Sequence, residues 1–219
     1  MLPYPVVTPW WIRSLYPSCL WEMPPGDGDI YLTFDDGPDP DFTPFVLDAL
    51  RDAGGKATFF CIGQNVQAHP RIYERILAEG HAVGNHTHTH RDGWKTRERE
   101  YLEDLDKAAG LIRSALFRPP YGRIRRSHIK ELNSRESPMK VVMWTLLSGD
   151  FDESLSGEQC LRNVLNHLQP GAIATFHDSR KAGERLRHAL PRVLESMVGK
   201  GWRSKAIGSE NYAPGGLNQ

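Results

Sequence analysis

The chain has 219 residues, 39% of them hydrophobic, which calls for one sizeable core-bearing domain and excludes a disordered polyelectrolyte. Lysine plus arginine and aspartate plus glutamate both number 27, so the balanced charge gives no footprint for nucleic acid or another polyanionic partner. Three widely spaced cysteines, Cys19, Cys61 and Cys160, form neither a disulfide framework nor a CxxC metal site, and no apolar run is long enough for membrane insertion.

Residues 1–28 are rich in Pro, Trp and Tyr without periodicity. They read as an extended segment that packs aromatics such as Trp10 and Trp11 against a main domain of residues 29–219. No basic stretch followed by an apolar core marks a signal peptide, which sets a cytoplasmic expectation. From Asp29 onward short β-rich runs alternate with helical patterns, as in βα units around a parallel sheet or barrel. Ile30–Phe34 is the first strand, followed by the polar turn Asp35–Asp41 and a helix with Thr43 as N-cap and Pro44 at its first position. Gly54 and Gly55 stop that helix. Strand Lys56–Ile62, helix Pro70–Glu79 and strand His81–Asn85 come next. A longer helix spans Thr96–Ser114, with Tyr101, Leu105, Ala108 and Ile112 at helical spacing. Val141–Leu147 reads as one buried strand. Ser156 and Gln159 have capping-box spacing ahead of Leu161, Val164, Leu165 and Leu168. Strand Ala172–Phe176, helix Gly183–Val198 with Pro191 inside it, and strand Trp202–Ile207 complete an α/β pattern.

The polar residues of interest fall just after strands, where α/β folds carry their sites. Asp35 and Asp36 are adjacent carboxylates between an apolar strand and a tight turn. Alone, such a pair reads as a polar turn. The segment Gly84–His90 then places His86, His88 and His90 within five residues, a density that packing seldom explains. His86 with His88 would share a face of a strand, and His86 with His90 a face of a helical turn; spacing leaves both open. One carboxylate plus two imidazoles suits a single divalent ion, Zn2+ best, with positions left for water and substrate. Such an ion acidifies a water to a pKa of about 7, and the other aspartate can take its proton.

With these blocks in order, the chain resembles the polysaccharide deacetylases of carbohydrate esterase family 4, the NodB-homology domain. Thr33–Pro38 is similar to the family's first motif, which implies Asp35 as catalytic base and Asp36 as metal ligand. His86–His90 is similar to its H-[ST]-x-x-H motif, which implies His86 and His90 as ligands and His88 as a bystander or groove residue. Arg118–Gly122 resembles the third motif, whose arginine orients the base and whose backbone amide after the prolines helps hold the oxyanion. Ala172–Asp178 resembles the last motif, which implies His177 as the acid that protonates the leaving amine.

Two departures stand out. Where the family commonly has D-x-x-D-W, this chain reads Leu147–Phe151, with Asp150 retained to tune His177 and Phe151 in place of the indole. Thr175 stands where a leucine commonly lines the acetyl pocket. By resemblance, Phe151 and Thr175 are substrate-contacting positions; the aromatics Trp94, Tyr121 and Phe151 suit a sugar face and equally suit the core, and Tyr121 is taken with the substrate-contacting set. The resemblance implies a distorted (β/α) barrel of about seven strands, fewer than the eight-stranded form. Its activity would be metal-dependent hydrolysis of N-acetylated poly- or oligosaccharides of the N-acetylglucosamine type, with no obligate protein partner. The competing readings are a metal-containing carbohydrate-binding pseudoenzyme and a cyclic amide or imide hydrolase of the same fold.

Overall fold

The computed structural model describes residues 4–208. At its centre is a curled sheet of parallel strands: β1 (Asp29–Asp35), β2 (Thr58–Cys61), β3 (Ala82–Asn85), β4 (Leu116–Phe117), β5 (Lys140–Val141), β6 (Leu146–Leu147) and β7 (Ile173–His177). Their spatial order is β5-β4-β3-β2-β1-β7-β6, and a two-residue β8 (Arg203–Ser204) pairs beside the start of β1. The expected distorted barrel of seven strands is therefore the fold. Helices α2 (Thr43–Asp52), α4 (Pro70–Ala78), α5 (Glu98–Ala109), α7 (Gly157–Leu165) and α8 (Gly183–Gly199) follow strands or flank them, and none among the described residues is long and apolar enough to cross a membrane.

Strand alternation sorts β1 into two jobs. Ile30, Leu32 and Phe34 join the main core with Leu47, Leu50, Val164, Leu186 and Leu190 of the helices, and Phe34 stacks between Phe59 and Phe176 at 5.2 and 6.0 Å. Tyr31, Thr33 and Asp35 alternate with them, and Tyr31 joins Phe60, Val142 and Ile173 in a separate inner cluster. The whole strand is buried, as a central parallel strand should be.

Several expectations are corrected. Val141–Leu147 is not one strand: the Val142 amide still bonds β4 at Phe117, but the Thr145 amide bonds Ile173 of β7, so the chain crosses from one sheet edge to the other. That seam is filled by the N-terminal segment, where Leu20 bridges Val142 and Val7 bridges Leu146. The segment is thus part of the barrel wall, and Cys19, Trp21 and Met23 are its buried anchors. Trp10 and Trp11, by contrast, sit 77% and 54% exposed on a short helix α1 (Trp10–Leu15) instead of packing inward. The helix expected over Thr96–Ser114 is trimmed to α5, ending at Ala109 with Gly110 as its C-cap. Helices α3 (Gly63–Ala68) and α6 (Arg126–Ser134), like the two-residue β4, were not foreseen. Thr43 does not cap α2 but lies inside it; its hydroxyl accepts from the Asp39 amide and donates to Asp178. The Ser156–Gln159 capping box is present as expected, and all three cysteines are free and buried.

Candidate active site

Parallel register between β1 and β7 sets Asp35 beside His177 and Thr33 beside Thr175. Two residues apart on each strand, these pairs form two stacked layers on one face, with Asp35 and His177 at the C-terminal rim. In the lower layer the Thr33 and Thr175 hydroxyl oxygens are 3.1 Å apart. Thr175 is thereby buried beneath the site, not open at a groove as a pocket-lining residue would be.

Arg118 follows β4, and its side chain is wholly buried. Nη1 donates to Asp35 Oδ1 and to Thr33 Oγ1, both at 2.7 Å, and Nη2 donates to the Met143 carbonyl at 2.8 Å. The guanidinium carbon lies 4.1 Å from the Phe60 ring centre. A planar fork held on four sides fixes the Asp35 carboxylate while leaving Oδ2 outside that ion pair.

Beyond Asp35 the backbone enters the left-handed region at Asp36 (φ 82°), and it does so again at Thr87 (φ 62°), His90 (φ 57°) and Tyr121 (φ 59°). These are the positive-φ non-glycine residues among the described ones, and all fall in the three motif blocks. Each such conformation costs roughly 1–3 kcal/mol and persists only where the surroundings enforce it. Here they do. Asn65 Nδ2 donates to the Asp36 carbonyl at 2.7 Å. Asn85 Oδ1 accepts from the Thr87 amide, and Asp104 of α5 accepts from the amides of His88 and Thr89 and from the Thr89 hydroxyl.

The outcome is convergence of Asp36, His86 and His90. His90 Nε2 and His86 Nε2 stand 3.2 and 3.6 Å from Asp36 Oδ1, a buried oxygen with no hydrogen-bond partner among the described residues. His86 Nδ1 faces the Arg118 carbonyl at 2.7 Å; a carbonyl can only accept, so Nδ1 carries the hydrogen and the Nε2 lone pair faces Asp36. Burial holds the His86 pKa down at about 4, leaving a neutral ring. Burial alone would raise the Asp36 carboxyl, but His90, His177 and His86 outweigh it and hold it below the usual carboxylate range. An orphaned carboxylate oxygen facing two nitrogen donors, with the far side of one ring fixed by a carbonyl, fits a divalent cation. His88 points elsewhere: it is buried, and its Nδ1 lies 2.6 Å from where a Cβ on Gly63 would sit, beside Ala108 of α5. The structure thus brings together the His86/His90 pair.

His177 is paired with Asp150. Asp150 Oδ1 lies 2.8 Å from His177 Nδ1, and Oδ2 accepts the His177 amide at 2.8 Å. Burial pushes the imidazolium down, yet Asp150, with smaller help from Asp36 and Asp35, raises its pKa to about 9. The ring is therefore a cation at neutral pH with Nδ1 committed to Asp150. Phe151 meets the imidazole edge-on at 5.1 Å. Tyr121, 61% exposed, sets its ring against His90 at 4.6 Å. Trp94 is also exposed, its indole nitrogen bonded to the Ile124 carbonyl at 3.1 Å.

Sequence reasoning missed the residues that hold this arrangement. Asp178 is wholly buried, accepts from the Gly37 amide at 3.2 Å and from Thr43, and burial raises its carboxyl well above the usual range. Its place next to His177 was the available signal. Asn65 and Asp104 sit on helices with no motif around them.

A family model described as polysaccharide deacetylase matches residues 22–139. The chain is 34% identical over 189 residues to a peptidoglycan-N-acetylglucosamine deacetylase of Bacillus cereus, covering 82% of this chain and 67% of that protein. It is 36% identical over 166 residues to a chitooligosaccharide deacetylase of Bradyrhizobium sp. (strain ANU 289), covering 73% and 74%. The crystal structure of the Bc1960 peptidoglycan N-acetylglucosamine deacetylase, in complex with an N-oxidanyl-benzamide, superposes with a TM-score of 0.83 at 30% identity, covering 94% of this chain and 97% of that one.

Proposed function

Since this chain belongs to the polysaccharide deacetylase family, carbohydrate esterase family 4, we propose that it is an N-deacetylase that hydrolyses the acetamide of N-acetylglucosamine units in a poly- or oligosaccharide. Asp36, His86 and His90 would hold one divalent ion, and their donor set suits Zn2+. When bound, that ion supplies Lewis-acid polarisation of the acetyl carbonyl. Asp35, steadied by Arg118, accepts the proton of the attacking water on its free oxygen. His177, with Nδ1 tied to Asp150, presents Nε2 to the amide nitrogen and protonates it as the C–N bond breaks, releasing acetate and a free amine. The exposed ring of Tyr121 is suited to a sugar face.

The observation that carries this reading is the placement of the Asp35 carboxylate and the Asp150-bonded His177 imidazole on neighbouring strands beside a three-donor cluster. A binding-only protein has no use for both groups. The named activities of the relatives support a carbohydrate acetamide over a cyclic amide.

The test is acetate release from N-acetylglucosamine oligomers of increasing length by metal-free protein, with and without added Zn2+, alongside Asp35→Asn. Metal-restored release that Asp35→Asn abolishes is expected. Zn2+ binding without release from any oligomer would overturn the sugar assignment.

A further inference from the structure

The N-terminal segment that fills the barrel seam leads back to the active site. Residues 6–8 run antiparallel to 145–147: the Leu147 amide donates to the Val6 carbonyl at 2.8 Å and the Thr8 amide to the Thr145 carbonyl at 2.9 Å. This short ladder carries Tyr4 past Leu147 to the turn that holds Asp150 and Phe151, closed by the Asp152 amide on the Gly149 carbonyl at 2.9 Å. Tyr4 grips the turn twice. Its hydroxyl donates to Asp152 Oδ2 at 3.2 Å, and its ring lies 4.8 Å from that of Phe151. Gly149 opens the turn at φ 82°, and a Cβ there would stand 3.0 Å from the Tyr4 oxygen.

The rest of the turn is held from helices α7 and α8. Arg185 Nε donates to the Asp150 carbonyl at 2.6 Å, and Asn163 Nδ2 donates to the Ser148 carbonyl at 3.0 Å. Phe151 meets His177 edge-on and Tyr4 at a tilt, so one ring links Tyr4 to the imidazole. Residues before 22, Tyr4 among them, lie outside the span that the family model matches.

We infer that Tyr4 is a positioning residue for His177, bracing Phe151 and the Gly149–Asp152 turn so that Asp150 and the imidazole stay in register. The inference rests on the reading of His177 as proton donor. Tyr4 itself touches neither substrate nor the transferred proton. Its effect passes through Phe151 and through the backbone that carries Asp150, so it should appear in turnover and not in substrate affinity.

The experiment compares wild type, Tyr4→Leu and Tyr4→Phe by steady-state kinetics, and by proton NMR of the His177 Nδ1–H resonance, identified by its loss in Asp150→Asn. Tyr4→Leu should lower kcat about tenfold with KM changed less than about twofold, a partial loss of acid catalysis, and should broaden the resonance. Tyr4→Phe keeps the ring and should recover most of both. Unchanged kcat and resonance in folded Tyr4→Leu would overturn the inference, and so would a raised KM at unchanged kcat, which makes Tyr4 a groove residue. If Tyr4→Leu does not fold, Tyr4→Met, which also removes the ring that meets Phe151, carries the same two readouts. The resonance needs no turnover: its broadening in a protein inactive on every sugar would retain the bracing role and sink the deacetylase reading alone.

Discussion

Arg118 and Asp35 form an ion pair whose partners are 0% and 5% exposed, and removing one side chain should reveal its energetics. Arg118→Met keeps an unbranched stem against Phe60 but deletes donors to Asp35, Thr33, Val142 and Met143. The dominant loss is the carboxylate left buried without its counter-charge, a situation that costs about 3–5 kcal/mol. The three uncharged acceptors add to it, since an orphaned carbonyl or hydroxyl costs about 1–3 kcal/mol where no water reaches it. Stability should therefore fall by at least about 3–5 kcal/mol, against a typical total of about 5–15 kcal/mol. Urea unfolding of metal-free protein measures it, with Asp35→Asn and the double variant completing a cycle. Once Asn replaces the carboxylate, losing the guanidinium leaves no buried charge, so the double variant should be more stable than additivity allows by about 1–3 kcal/mol. A loss below about 1 kcal/mol in Arg118→Met, or additive single changes, would refute the argument that this pair is held by mutual neutralisation.

Asp150→Asn removes the largest influence raising the His177 pKa to about 9. A raised pKa keeps the donor protonated up to that pH and loses it above, so kcat should fall on the alkaline side near 9 in wild type and at distinctly lower pH in the variant. The stabilisation from the pair follows the same sign: complete below the ordinary histidine value of about 6.5 and lost as pH rises through about 9. An alkaline limb that does not move in a kcat–pH profile would remove Asp150 from this role. Separately, calorimetric Zn2+ titration should show His86→Ala weakened by about 100-fold or more and His88→Ala near wild type, since only the former takes a donor from the convergent set. Equal losses would mean that His88 shares the ion.

The central strands were legible because burial on both faces leaves long apolar runs, as in Ile30–Phe34 and Ala172–Phe176. The split of residues 140–147 was not, since Val142 and Met143 are as apolar as the strand residues beside them; what divides β5 from β6 is a change of hydrogen-bonding partner. The same distinction governs the site. Asp35 and Asp36 stand out as adjacent carboxylates at a strand end once the histidine block follows them, and Arg118 and His177 stand out only through the motif blocks around them. The choice between His88 and His90 does not, because it turns on left-handed backbone at Thr87 and His90. That conformation is held by Asn85 and by Asp104, an α5 residue whose oxygens accept local amides. Any acidic or amide side chain on a helix has the same look in a sequence. A chain could therefore keep every motif residue and still fail to assemble the donor cluster if Asp104 or Asn65 were lost. The motif blocks specify which chemistry is available, and the unmarked acceptors and donors around them determine whether the side chains converge to perform it.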